Sequence, residues 1–66
     1  MDVIVKAEER NRHVYVTGRS GTTLCTIPLV NVNDRLLKFD QTTVEVKTGY
    51  CILIYDAKGR KIGERR

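Results

Sequence analysis

Sixty-six residues make one domain, which excludes a multi-domain enzyme or any assembly with a separate lid or cofactor module. With 41% apolar residues, one Phe, three Tyr and no Trp, the core is thin, so a chain this small leans on a disulfide, a metal or a second subunit. The net charge of +4 is unevenly placed, since Lys58, Arg60, Lys61, Arg65 and Arg66 face only Glu64 at the C-terminal end, and such a basic chain suits a polyanion partner or, equally, a solvated surface.

Taken in chain order, Asp2 to Ala7 alternates as a short strand, with Val3, Val5 and Ala7 on one side and Asp2, Ile4 and Lys6 on the other. The charged run Glu8 to Arg12 ends it. His13 to Thr17 is β-rich, and Gly18-Arg19-Ser20-Gly21 makes a turn that folds Thr22 to Ile27 back as a hairpin, since Gly18 and Gly21 tolerate positive φ. Pro28 stops that strand because it has no N–H for the ladder.

After Pro28 the spacing predicts a short helix. Asn31 caps it, Asp34 complements the dipole, and Val32, Leu36 and Phe39 recur at i, i+4 and i+7 on one face. The rival arrangement makes Arg35 to Phe39 a strand in a plain meander. From Thr42 alternation returns, with Val44 and Val46 inward and Thr43, Glu45 and Lys47 outward, and Thr48-Gly49 turns the chain. Tyr50 to Tyr55 is apolar on both faces, which points to a sandwiched strand or a subunit interface. Asp56-Ala57-Lys58-Gly59 is a turn, Arg60 to Ile62 returns as an edge strand, and fraying is expected beyond Gly63.

The order of elements, with Gly21-Thr22-Thr23-Leu24-Cys25-Thr26-Ile27-Pro28 and Thr43-Val44-Glu45-Val46, resembles the AbrB/MazE/SpoVT-like swapped-hairpin DNA-binding family. Residues 13–55 carry the likeness, and residues 1–12, an N-terminal strand and charged loop, and 56–66, a turn and basic tail, have no counterpart in it. Val32, Leu36 and Val44 lie one residue further from Pro28 than is usual there, and Asp40-Gln41-Thr42 lacks the usual Gly-Asp turn. The resemblance implies a mainly β chain with one short helix, closed by hairpin exchange into the β-barrel of a homodimer. It also implies a small cytoplasmic transcriptional regulator of duplex DNA, or the antitoxin half of a toxin pair.

Within that reading Arg19, on a glycine-rich turn, is the first candidate for contact with phosphate or a guanine edge, and it reads equally as a solvated turn residue. Arg12 and Arg10 lie just ahead of the hairpin and extend the basic surface. Arg35 and Lys38 would touch phosphate from the short helix or form its wet face. His13 has no nucleophile or carboxylate motif beside it, so no catalytic residue is proposed and the chain reads as a non-enzyme. Cys25 and Cys51 stand apart without a CxxC pair, which argues against a structural metal; they read as small hydrophobes in a reducing cytosol and as a disulfide only in a hyperthermophile. No cofactor motif is present, and no apolar run approaches a membrane span. The alternatives are a protein-binding module, such as an antitoxin or small inhibitor, and a small-barrel RNA binder that stacks bases on Tyr15, Tyr50 and Tyr55.

Overall fold

The computed structural model describes residues 3–66, so the Asp2 end of the first expected strand lies outside the described residues. Strands β1 (Ile4–Arg10), β2 (His13–Gly18) and β3 (Thr23–Pro28) form one antiparallel sheet in chain order. Strands β4 (Arg35–Phe39), β5 (Thr43–Lys47), β6 (Ile52–Asp56) and β7 (Lys61–Arg65) form a second. Every strand pairs with its sequence neighbour within its sheet, so the described residues form two meanders laid face to face, all-β and without a closed barrel.

The alternation read from the sequence sets the core. Val14 and Val16 of β2 meet Val44 and Val46 of β5, and Ile4, Ile27 and Leu29 complete the buried cluster. Each such side chain is worth about 1.5–3 kcal/mol when taken out of water. Leu24, Cys25, Leu36 and Tyr55 pack around it. The sheets are tied along β1 and β4, where the Leu36 N–H donates to Glu9 Oε1 at 2.9 Å and the Ile4 N–H to the Gln41 carbonyl at 2.9 Å.

The expected helix is not formed. Residues 31–34 make a turn in which the Asn31 N–H donates to Asp34 Oδ2 at 3.2 Å and the Asp34 N–H donates to the Asn31 carbonyl at 3.1 Å. Asn31 therefore opens a turn where a helix cap was expected, and Arg35 and Lys38 lie on a strand. Leu36 pairs with Val46 and Phe39 with Val44, and the register shifts between Leu36 and Lys38. Leu37 is the extra residue of a bulge, which places Leu36 and Phe39 on the same face three positions apart, a helix-like interval on an extended chain. Val32, the third member of the supposed helical face, is exposed.

Three further expectations change. β7 does not fray at Gly63 but runs to Arg65, anchored to β5 by the Arg65–Glu45 ion pair, with Lys61 Nζ and Glu64 paired at 2.8 Å within the strand. The last apolar strand begins at Ile52 and not at Tyr50, which projects from the preceding turn. Within β6, Leu53 and Tyr55 oppose Val46 and Val44 on the inner face, while Ile52 and Ile54 lie half-buried on the outer face opposite Lys47 and Glu45. Both expected hairpin glycines are not alike: Gly21 has φ +80° whereas Gly18 continues β2.

Candidate nucleic-acid interface

Antiparallel meanders sort their turns onto two ends. One end carries the turns β1–β2, β3–β4 and β5–β6, and the other carries β2–β3, β4–β5 and β6–β7. The five cations singled out in the sequence divide accordingly. Arg10, Arg12 and Arg35 gather at the first end. Arg19 is on the opposite end, about 20 Å away along β2 at the usual rise of an extended strand. Lys38 stands on the outer face of the second sheet, 3.8 Å from Glu45 Oε2.

The first end is built from a strained turn. Asn11 and Arg12 both have positive φ, 51° and 62°, the backbone of a two-residue hairpin turn whose twist suits the flanking strands. That conformation aims Arg12 across the end at the β3–β4 connection. Its Nη2 donates to the Val30 carbonyl at 3.3 Å, and its own carbonyl accepts the Leu29 N–H at 2.8 Å. From the other side Arg35 Nη1 donates to the carbonyls of Val32 at 3.2 Å and Asp34 at 3.1 Å, with Glu9 Oε2 3.8 Å away. The two guanidiniums thus brace one turn, and most of their N–H donors still face solvent.

Arg10 belongs to the outer face of the first sheet. Its guanidinium lies 4.6 Å from the centroid of the Tyr15 ring and 3.8 Å from Glu8. His13 sits beside Tyr15 with ring centroids 6.2 Å apart, and its Nδ1 donates to the Asn11 carbonyl at 2.8 Å, so Nδ1 carries the proton. Lys47, opposite Arg35 in the β4–β5 ladder, adds a further cation to this end.

Between the β3–β4 and β5–β6 turns an open cleft of 480 Å³ is lined by Asn31, Val32, Asn33, Gly49 and Tyr50. Its floor turn is held by Asp34, only 6% exposed, whose Oδ1 is buried without a hydrogen-bond partner among the described residues. Tyr50 is 94% exposed and Val32 72%. The sequence reading placed Tyr50 in an apolar strand; the signal that it sits on a turn is Thr48, whose hydroxyl accepts the N–H groups of Tyr50 at 3.2 Å and Cys51 at 3.0 Å.

The opposite end is organised by carboxylates. Asp40 Oδ1 accepts the N–H groups of Thr42 and Thr43, both at 2.8 Å, and these bonds hold its carboxyl below the usual carboxylate range. Asp56 is lowered likewise, chiefly by the Arg60 N–H at 2.9 Å, and Arg60 Nε adds an ion pair at 3.2 Å. The Cys25 thiol is pushed up by burial, then by the nearby Asp56 charge. Among the described residues no group of His, Cys, Asp and Glu side chains is arranged to hold a metal ion, and no helix is long and apolar enough to cross a membrane. No protein-family model matches this chain, and no curated protein or solved structure is similar to it.

Proposed function

We propose that the protein binds nucleic acid, duplex DNA in the first place, through the end at which Arg10, Arg12 and Arg35 gather. The observation that carries this reading is the convergence of Arg12 and Arg35 on one turn, because two guanidiniums fixed by backbone carbonyls present their remaining donors to phosphate without losing further side-chain freedom. Arg19 and Lys38 take lesser parts, since one lies on the far end and the other is already paired with Glu45. A regulator of transcription is the role that the reading favours.

The reading includes a homodimer. Two copies would carry +8, twice the +4 of one chain, and would repeat the basic end about a two-fold axis, the arrangement that matches paired half-sites. In the swapped-hairpin form of that dimer the β2–β3 hairpin covers Val44 and Val46 of a second copy in place of its own.

A salt series of fluorescence-anisotropy titrations with labelled duplex DNA tests the proposal, with light scattering on the same sample. Binding should weaken steeply with salt, and Arg12→Ala with Arg35→Ala should flatten the log–log slope by about one to two. Absence of binding at low salt, with a stoichiometric protein co-purifying instead, would replace it by the protein-binding alternative.

A further inference from the structure

We infer that the cleft between the β3–β4 and β5–β6 turns receives one unpaired nucleobase, stacked on Tyr50. The inference rests on the nucleic-acid reading and deepens it, since phosphate contact alone does not distinguish a fully paired duplex from a strand with an open base.

Four features of the cleft carry it. Tyr50 is almost wholly solvated, so both faces of its ring are free to take a stacked base, and the turn that presents it is fixed by the Thr48 hydroxyl. Val32 supplies the apolar wall across the gap. The side-chain amides of Asn31 and Asn33 line the cleft, and each offers the donor and acceptor pair that the polar edge of a base requires. Arg12 and Arg35, bound to carbonyls of the same turn, place positive charge beside the cleft, where the phosphates flanking a stacked nucleotide would run.

The cleft is also formed in advance. The buried Asp34, the Asn31 N–H that it accepts and the buried Leu29 on the strand side leave the β3–β4 wall little freedom, so a base entering it meets a surface that does not have to be ordered first. An open platform of this kind suits a base already out of a stack, whereas a paired base is not presented face-on to a turn.

The test compares three labelled DNAs: a short single strand, a fully paired duplex and the same duplex with one bulged nucleotide, the bulge being 2-aminopurine so that stacking on an aromatic ring quenches its fluorescence. Tyr50→Ala should weaken the single strand and the bulged duplex about 5- to 150-fold and abolish the quench, while the paired duplex changes by less than about twofold. Tyr50→Phe should keep both affinity and quench. If Tyr50→Ala leaves all three unchanged while Arg12→Ala still weakens them, the base cleft is refuted and the phosphate site survives. If the unmodified protein binds none of the three at low salt, the nucleic-acid reading itself is lost. Because the Tyr50 side chain is exposed, both variants should melt as the parent does, which a thermal scan verifies.

Discussion

Glu45 holds two cations at once on the outer face of the second sheet: Arg65 Nη2 lies 2.5 Å from its Oε1, and Lys38 Nζ lies 3.8 Å from its Oε2. Its side chain is only 12% exposed, because both long arms lie across it. The last strand is thereby pinned to the middle of the sheet by a residue two strands away.

Glu45→Gln should therefore loosen β7 while freeing two charges. Hydrogen bonds to a charged partner are worth about 1.5–3 kcal/mol, and partial solvation trims this to a loss of roughly 1–2 kcal/mol in a urea unfolding curve. In the same variant the salt dependence of DNA binding should steepen by no more than about one, the single phosphate contact that a freed Lys38 can add. A variant as stable as the parent would mean that the two ion pairs contribute nothing measurable.

Arg12 separates stability from binding. It holds φ 62° as a side-chain-bearing residue, at a backbone cost of about 1–2 kcal/mol that glycine does not incur. Arg12→Gly gives back part of this gain as the extra chain entropy of glycine and loses the exposed bond to the Val30 carbonyl, so a net stabilisation of no more than about 0.5 kcal/mol is expected. Duplex affinity should fall in the same variant. A rise in melting temperature with unchanged affinity would place the phosphate contacts elsewhere.

Gly59 and Gly21 form a matched pair for measuring one contact. Both have positive φ, 84° and 80°, yet a Cβ on Gly59 would stand 3.2 Å from Cys25 Cβ, whereas one on Gly21 meets nothing within 4 Å. Each alanine substitution should lose roughly 1–2 kcal/mol from the backbone alone. Gly59→Ala should lose more, and the difference reads the crowding between the β6–β7 turn and β3. Equal losses would show that Cys25 moves aside without strain.

Acid should destabilise the fold through two turns. The folded-state carboxyls of Asp40 and Asp56 lie below their unfolded values, so the stability that they contribute is fully present above the ordinary carboxylate range, about pH 4, and is lost as pH falls through their lowered values. Thermal scans between neutral and strongly acidic pH should be flat until that range and then decline. Asp40→Asn and Asp56→Asn should each shallow the decline, and an unaltered acid limb would assign it to other carboxylates.

Much of this architecture is legible in the residues. Alternation at Val14 and Val16 and again at Val44 and Val46 names the four side chains at the centre of the core, and Gly59 marks its turn by the φ it adopts. Two of the failures are caused by bulges. One extra residue at Leu37 turns a period of two into an interval of three and imitates a helix, and one at Val5 sets Ile4 and Ala7 together against the core although they are three apart. A two-residue turn without glycine at Asn11-Arg12 gives no compositional signal, so the first hairpin reads as a charged loop. The candidate site is half legible: the arginines are visible by type, but their division between two ends depends on strand direction, and the prominence of Tyr50 depends on the Thr48 hydroxyl accepting its backbone N–H.

The register shift in β7, where Tyr55 faces Lys61 and Ile54 faces Gly63, leaves Ile62 as an unmatched residue on the outermost strand. An uneven rim of this sort offers no straight template for another strand to zip along. At high concentration β7 should accordingly resist joining the rim of a second molecule, and a light-scattering series at rising concentration checks whether growth proceeds through that edge.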